Sequence, residues 1–322
     1  MSTGTQPLIT SQFDATAQYL ASVVVSLSTH TLRIQSTVST NNFSSVYPFE
    51  KDVKVNSITW LPLGNSNQIN NNNRNNNKKF KNLDSNLDDQ VIGISLDNGY
   101  FYIYSPSKNE IINKILNPNN IAISHLQYNP FNDYVYSVDF QGSISEWKPS
   151  DWSLRKSIKS DSFDSSIRKI EGITYERTPY ILAISQSIYL IDPENPNDLS
   201  INLPGHITQI NSVVPIIKNS SILTSAIGDR FINCISLIKK STTNVFVTES
   251  PVVSIAYFEN EFNMELLAAV TENGVVEEVN DPFGNNKGDS NDDDADDNNN
   301  NNNNNNKKKS ILNRRRRFKS NK

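Results

Sequence analysis

Ile123-Ser124-His125-Leu126-Gln127-Tyr128 opens a stretch that crosses Asn129-Pro130, resumes at Tyr134-Val135-Tyr136-Ser137-Val138, turns at Gln141-Gly142 and closes with Ile144-Ser145-Glu146-Trp147. β-Branched and aromatic residues in runs this short, divided by turn formers, specify strands. Almost no segment of the chain keeps apolar residues at i, i+3, i+4 and i+7 for three helical turns, so helix is a minor component. The order of parts is an apolar strand, a turn rich in Asn, Pro or Asp, a second apolar strand ending in small residues, a Gly hairpin and an alternating strand.

The same order returns on both sides of this stretch at a beat of roughly 40 residues, the spacing of a four-stranded propeller blade. One beat runs from Phe13 through Tyr19–Val25 to Thr31–Gln35, and the next joins Val55–Trp60 to Val91–Ser95 and Asp97–Tyr104. A fourth spans about 167–206, a fifth about 207–250, and a sixth begins at Val252. The expected fold is all-β, a WD-repeat β-propeller over residues 1–284 with six blades visible. Asn98-Gly99 and Asn273-Gly274 predict type I′ hairpins, which need positive φ at both central positions, and Gly142 marks the equivalent corner. Gln6-Pro7-Leu8-Ile9-Thr10 is a candidate closing strand.

Two regions lack the composition to pack. An Asn-rich stretch around Asn65 to Lys81 predicts a disordered insertion at about 65–89, at a loop tip in the second blade. Residues 285–322, Asp and Asn tracts followed by a basic end, predict a disordered tail, because such segments bury too little surface to offset their ordering entropy.

The formal net charge of −4 hides an asymmetry. Residues 307–322 carry nine Lys or Arg and no acid, while residues 287–306 carry six Asp and one Lys. Taking +9 and −5 out of −4 leaves −8 on residues 1–286. An acidic body is a poor surface for a polyanion, so any RNA contact falls to the tail. Cys234 is the single cysteine, which excludes an intramolecular disulfide and fits a reducing compartment, nucleus or cytosol. Met1-Ser2-Thr3-Gly4-Thr5-Gln6-Pro7 has no basic segment ahead of an apolar run, and the apolar run near Leu20–Leu27 is too short for a membrane span. The expectation is a soluble, unsecreted protein.

Candidates for chemistry are few. His30, His125 and His206 fall in different beats. His206 and Asp229 lie in one blade, and the reading of that pair is structural, a hydrogen bond that tightens the blade. His30 and His125 read as turn or packing residues. No His–Cys spacing fits zinc, and Asp289–Asp297 lacks the Gly and terminal Glu of a calcium loop. No catalytic, cofactor-binding or metal residue is assigned. The basic block Lys307, Lys308, Lys309, Arg314, Arg315, Arg316, Arg317 and Lys319 is a candidate nuclear-import or RNA patch. Trp60 and Trp147 sit at strand positions suited to core packing, whereas Trp152, beside Asp151 in a loop, is the better surface anchor.

In the fifth beat, Leu203-Pro204-Gly205-His206-Ile207 followed by Ile222–Asn233, with its Gly228-Asp229-Arg230-Phe231, resembles the corresponding blade of the U-three-associated protein five family. Phe13–Leu20 and Ser187–Asp192 fall where that family has similar segments, and the resemblance covers residues 12–284. It implies a non-enzymatic scaffold of the small-subunit processome, without cofactor, membrane or small-molecule substrate. The implied partners are the other subunits of the UtpA (t-UTP) subcomplex, the 5′ external spacer of pre-rRNA and the U-three snoRNP. The implied place is the nucleolus and the implied task the support of pre-rRNA transcription and processing toward 18S rRNA. Members of the family continue with further propeller sequence and a helical C-terminal domain. The alternative is a generic WD-repeat adaptor in another nuclear or cytosolic complex; a propeller hydrolase is disfavoured because the acidic residues fall mainly in turns or tails.

Overall fold

A computed structural model describes residues 8–26, 28–38, 43–62, 87–159, 167, 169–175, 178–185, 187–195, 201–203, 206–216, 220–259, 264–283 and 314–316. Among these residues the regular structure is strand, apart from one 3-10 turn at Leu87–Asp89. Each strand pairs with its sequence neighbour, giving six four-stranded antiparallel meanders. The all-β, six-bladed propeller expected from the sequence is the fold observed.

The chain divides into two units, residues 1–202 and 203–322. In the first, blade one is β1 (Leu8–Phe13), β2 (Tyr19–Ser26), β3 (Thr29–Ser36) and β4 (Ser44–Pro48). Blade two is β5 (Val55–Pro62), β6 (Gln90–Leu96), β7 (Tyr100–Ser105) and β8 (Glu110–Leu116). Blade three is β9 (Ile123–Asn129), β10 (Tyr134–Asp139), β11 (Ile144–Lys148) and β12 (Ser153–Ile158). Blade four is β13 (Lys169–Tyr175), β14 (Thr178–Ile184), β15 (Ile188–Ile191) and β16 (Ile201–Leu203), which ends at the unit boundary. The second unit holds blade five, β17 (Ile210–Ile216), β18 (Ser221–Ala226), β19 (Phe231–Ser236) and β20 (Ser241–Val247). It also holds blade six, β21 (Val252–Glu259), β22 (Glu265–Thr271), β23 (Val276–Asn280) and β24 (Arg314–Arg316).

The core lies between blades. Trp60, Ile92 and Ile94 of blade two pack on Ala21, Leu32 and Ile34 of blade one. Phe101 and Ile103 meet Leu126, Val135 and Trp147 of blade three, and Tyr136 and Val138 meet Ile170 and Ile181 of blade four. Each fully buried side chain of this kind contributes about 1.5–3 kcal/mol. Inner strands are therefore buried on both faces, as β6 and β18 are, while the outer strand β8 alternates between partly buried and exposed.

Several local expectations change. At Asn98-Gly99 and Asn273-Gly274 only the glycines have positive φ, +83° and +74°, so these hairpins are not type I′. At the latter, Gly274 N–H bonds to Thr271 O and Thr271 N–H to Val275 O, a type I turn closed by a left-handed glycine. Asp139 to Ser143 repeats the pattern around Gly142. Leu8–Thr10 belong to β1 itself, paired with β2, rather than closing another blade; Gln6 and Pro7 lie outside the described residues. Of the expected insertion, residues 65–86 lie outside the described residues, whereas Leu87–Asp89 are ordered because Leu87 gains burial in the blade one–two core. Of the expected tail, Arg314–Arg316 are described and extend the sixth sheet beside β23; the remainder lies outside the described residues.

Candidate functional site

Blade five carries the histidine–aspartate pair singled out by the sequence. A turn with Gly228 at φ +75° carries Asp229, and β18 presents Thr224. His206, whose side chain is 0% exposed, places Nδ1 2.9 Å from Asp229 Oδ2 and Nε2 2.9 Å from Thr224 Oγ1. Asp229 Oδ1 accepts the N–H of Phe231 at 3.0 Å. Both ring nitrogens are thus committed to blade hydrogen bonds, which pin the approach to β17 against the β18–β19 corner. Pro204 and Gly205 lie outside the described residues. Beside the pair opens a cavity of about 440 Å³. On its rim Ile207, Ile227 and Phe231 are exposed, an arrangement suited to contact with another macromolecule.

Blade three uses different side chains for the same architecture, and sequence reasoning missed it. Trp147 Nε1–H donates to Ser137 Oγ at 2.8 Å. Asp139 Oδ1 accepts the backbone N–H groups of Gln141 and Ser143, and its Oδ2 accepts from Asn119 Nδ2 at 3.0 Å. Asn119 thus fills the place that His206 fills in blade five. Trp60 and Trp147 are buried, as strand positions suggest, although Trp60 also donates Nε1–H to Gln12 O. Trp152 is not a free surface anchor: at φ +57° its ring turns onto Phe101, centroids 6.1 Å apart.

The first unit contains a second polar region. First strands β1, β5, β9 and β13 line a cavity of about 300 Å³ with Gln12, Asn56, His125, Gln127, Lys169 and Glu171 among its walls. Lys169 and Glu171 form an ion pair at 2.9 Å. Burial, with Lys169 nearby, holds the His125 pKa down to about 3 despite a hydrogen bond to the Ile170 backbone. Its Nε2 has no partner among the described residues. His30 accepts the N–H of Val55 on Nδ1, and burial lowers its pKa as well. Neither histidine has a nucleophile or carboxylate in hydrogen-bond contact, so neither forms a catalytic relay with the described residues.

A buried carboxylate in blade three serves as a brace. Glu146, 2% exposed, accepts Tyr136 O–H at 2.6 Å and pairs with Arg155 at 2.6 Å, and Arg155 reaches Glu194 at 2.8 Å. The Glu146 and Glu194 hydrogen bonds push the Arg155 pKa up, and burial beside Glu146 raises that of Tyr136. Arg155 Nη2 donates to both Glu194 carboxylate oxygens, which ties blade three to the segment after β15 in blade four.

Among the described residues no group of three or more His, Cys, Asp or Glu could hold a metal ion, and no helix is long and apolar enough to cross a membrane. Cys234 is half-buried and its pKa is raised by burial. Of the basic block, Arg314, Arg315 and Arg316 form β24; Lys307, Lys308, Lys309, Arg317 and Lys319 lie outside the described residues.

Meander blades stacked through apolar faces, with a His–Asp hydrogen bond in blade five and a Ser–Trp hydrogen bond between strands of blade three, define a WD-repeat β-propeller. Within that class the chain is similar to U3 small nucleolar RNA-associated protein 5 of two yeasts, which supports the family resemblance read from the sequence. The Saccharomyces cerevisiae protein is 22% identical over 287 residues, a match covering 86% of this chain and 40% of that protein. The Schizosaccharomyces pombe protein of the same name is 26% identical over 300 residues, covering 84% and 41%. The chain thus spans about two fifths of the length of these curated relatives. No protein-family model matches it.

Proposed function

We propose that this chain is a non-catalytic scaffold in ribosome biogenesis, acting within the U3 small nucleolar ribonucleoprotein assembly. The observation that carries this reading is similarity to two U3 small nucleolar RNA-associated proteins over 84–86% of the chain. More finely, the chain is a subunit of the small-subunit processome, bound to the other UtpA subunits and held near the 5′ external spacer of pre-rRNA. There it supports transcription and processing toward 18S rRNA, and its place is the nucleolus. His206 and Asp229 keep blade five in shape for this role, and the basic block from Lys307 to Lys319 serves nuclear entry or RNA contact. A charge of −8 on residues 1–286 favours protein partners for the propeller body.

Affinity purification of the tagged chain from its own cells, with mass spectrometry of proteins and sequencing of retained RNA, tests the reading. Co-recovery of UtpA subunits and 5′ spacer pre-rRNA is expected. Recovery of neither, with other partners enriched, replaces it with a WD-repeat adaptor of a different complex; the exposed Ile207, Ile227 and Phe231 rim suits that alternative.

A further inference from the structure

Blade six takes its fourth strand from far along the chain. β23 ends at Asn280 and β24 begins at Arg314, so residues 281–313 lie between two strands that pair antiparallel. In the other five blades the fourth strand follows the third after a short connection. The register sets Val276 opposite Arg316, Glu277 opposite Arg315 and Glu278 opposite Arg314. Successive positions of a strand alternate faces, so the two acid–base pairs lie one on each face of the sheet.

The carboxylates at this edge are short of positive charge. Glu277 is 5% exposed and its Oε1 accepts the N–H of Glu249 at 3.0 Å. Neither Glu277 nor Glu278 has an ion-pair partner among the described residues. A buried carboxylate without a cation is costly, and an opposite charge directly across a ladder stabilises the pairing. Against that stands the entropy of closing the loop of residues 281–313 for only three paired positions. These terms oppose one another at the edge of a sheet, where local opening is easiest.

We propose that the edge of β23 is a reversible capture site for the arginine-rich end of this chain, and that capture and RNA contact are alternative uses of the same arginines. This rests on the reading of the basic block as an RNA contact. In the sheet, Glu277 and Glu278 offset the charge of two of the four consecutive arginines, Arg314–Arg317, and the backbone of Arg314–Arg316 is committed to the ladder. A single-stranded RNA gains affinity by releasing about 0.7 counterion per phosphate neutralised, so it must draw β24 off the edge to gain those two contacts. A polyanion is the competitor because this mask acts on charge, the property that a polyanion reads. Blade six holds the basic end silent until RNA competes for it.

A cross-link tests both halves of the proposal in one protein. With Cys234→Ser, the pair Val276→Cys and Arg316→Cys puts two thiols at opposed positions, where antiparallel Cα atoms lie about 4.5–5.5 Å apart and within disulfide reach. Binding of a fluorescent uridine RNA of about 12 nucleotides is followed by anisotropy against KCl concentration, first oxidised and then reduced. The cross-link is expected to form and to weaken binding about tenfold or more at about 0.1 M KCl. It should also lower the slope of log K against log[KCl] by about 1.4, the share of two phosphate contacts. Reduction should restore both. Glu278→Gln should slow cross-linking, whereas Glu272→Gln, the same charge change in an exposed turn of blade six, should leave its rate unchanged. Failure to cross-link, or an undiminished rate in Glu278→Gln, overturns the proposal. So does an oxidised protein that binds as tightly and with the same slope as the reduced one, which leaves the RNA contact standing and removes the masking alone. A reduced protein that binds no better than the chain without residues 307–322 ends the RNA reading of the basic block and the masking with it.

Discussion

His125 makes the stability of the first unit depend on pH in a calculable way. Its folded pKa is depressed to about 3 by burial and by the neighbouring Lys169, against an ordinary value of 6.5. The folded protein therefore holds the ring neutral where the unfolded chain protonates it. Stability is fully present above about pH 6.5, declines as pH falls below the unfolded value and stops declining below about pH 3. For one such group the loss between pH 8 and pH 5 is about 2 kcal/mol, growing to about 4 kcal/mol at pH 3. His125→Gln keeps an N–H donor for the Ile170 backbone and removes the titration. Urea unfolding of both proteins at pH 8 and pH 5 gives the comparison. The natural chain should lose about 2 kcal/mol more than the variant across that interval. Equal losses would refute the reasoning, because His125 would then share one pKa in both states. His30 and the surface groups titrate alike in both proteins and cancel.

Asp229→Ala leaves the buried His206 Nδ1 without its partner while water reaches the vacated space through a carboxylate already 24% exposed. A loss of about 1–2 kcal/mol is expected in thermal unfolding, and an unchanged melting curve would remove the pair from the blade's stability. Gly172→Ala is expected to cost about 1–3 kcal/mol, since a Cβ there would stand 2.6 Å from Asn129 Oδ1, a buried side chain bonded to Tyr180 O and Phe131 N. Circular-dichroism melts of the two proteins check it. Deleting residues 307–322 should reduce nuclear accumulation of a fluorescent fusion, and undiminished accumulation would end the import reading of the basic block.

Blade order was legible in the sequence because the controlling signals are local: strand-length apolar runs, Asn-Pro and Gly corners, and a repeat near 40 residues. His206 and Asp229 were legible for the same reason, being 23 residues apart within one beat. Turn geometry was not, because Asn-Gly suits a type I′ turn and equally a type I turn ending in a left-handed glycine, and the flanking register decides. Asn119 was invisible as the partner of Asp139, since an asparagine in a loop has many ordinary uses. Arg155 and Glu194 lie 39 residues apart in different blades, so nothing local announces their contact. Trp152 was misplaced because exposure was inferred from its loop, whereas its positive φ turns the indole inward onto Phe101.

The meander has a consequence for synthesis. Within the first five blades every ladder joins strands consecutive in sequence, so each sheet can form as its own residues leave the ribosome, hairpins closing in about 1–10 μs. Stacking must wait for the next blade, and at 5–20 residues per second roughly 40 more residues take about 2–8 s. During each interval the nascent chain shows one apolar sheet face to its surroundings. Translation speed, and the chaperones waiting at the tunnel exit, therefore act on this protein once per blade.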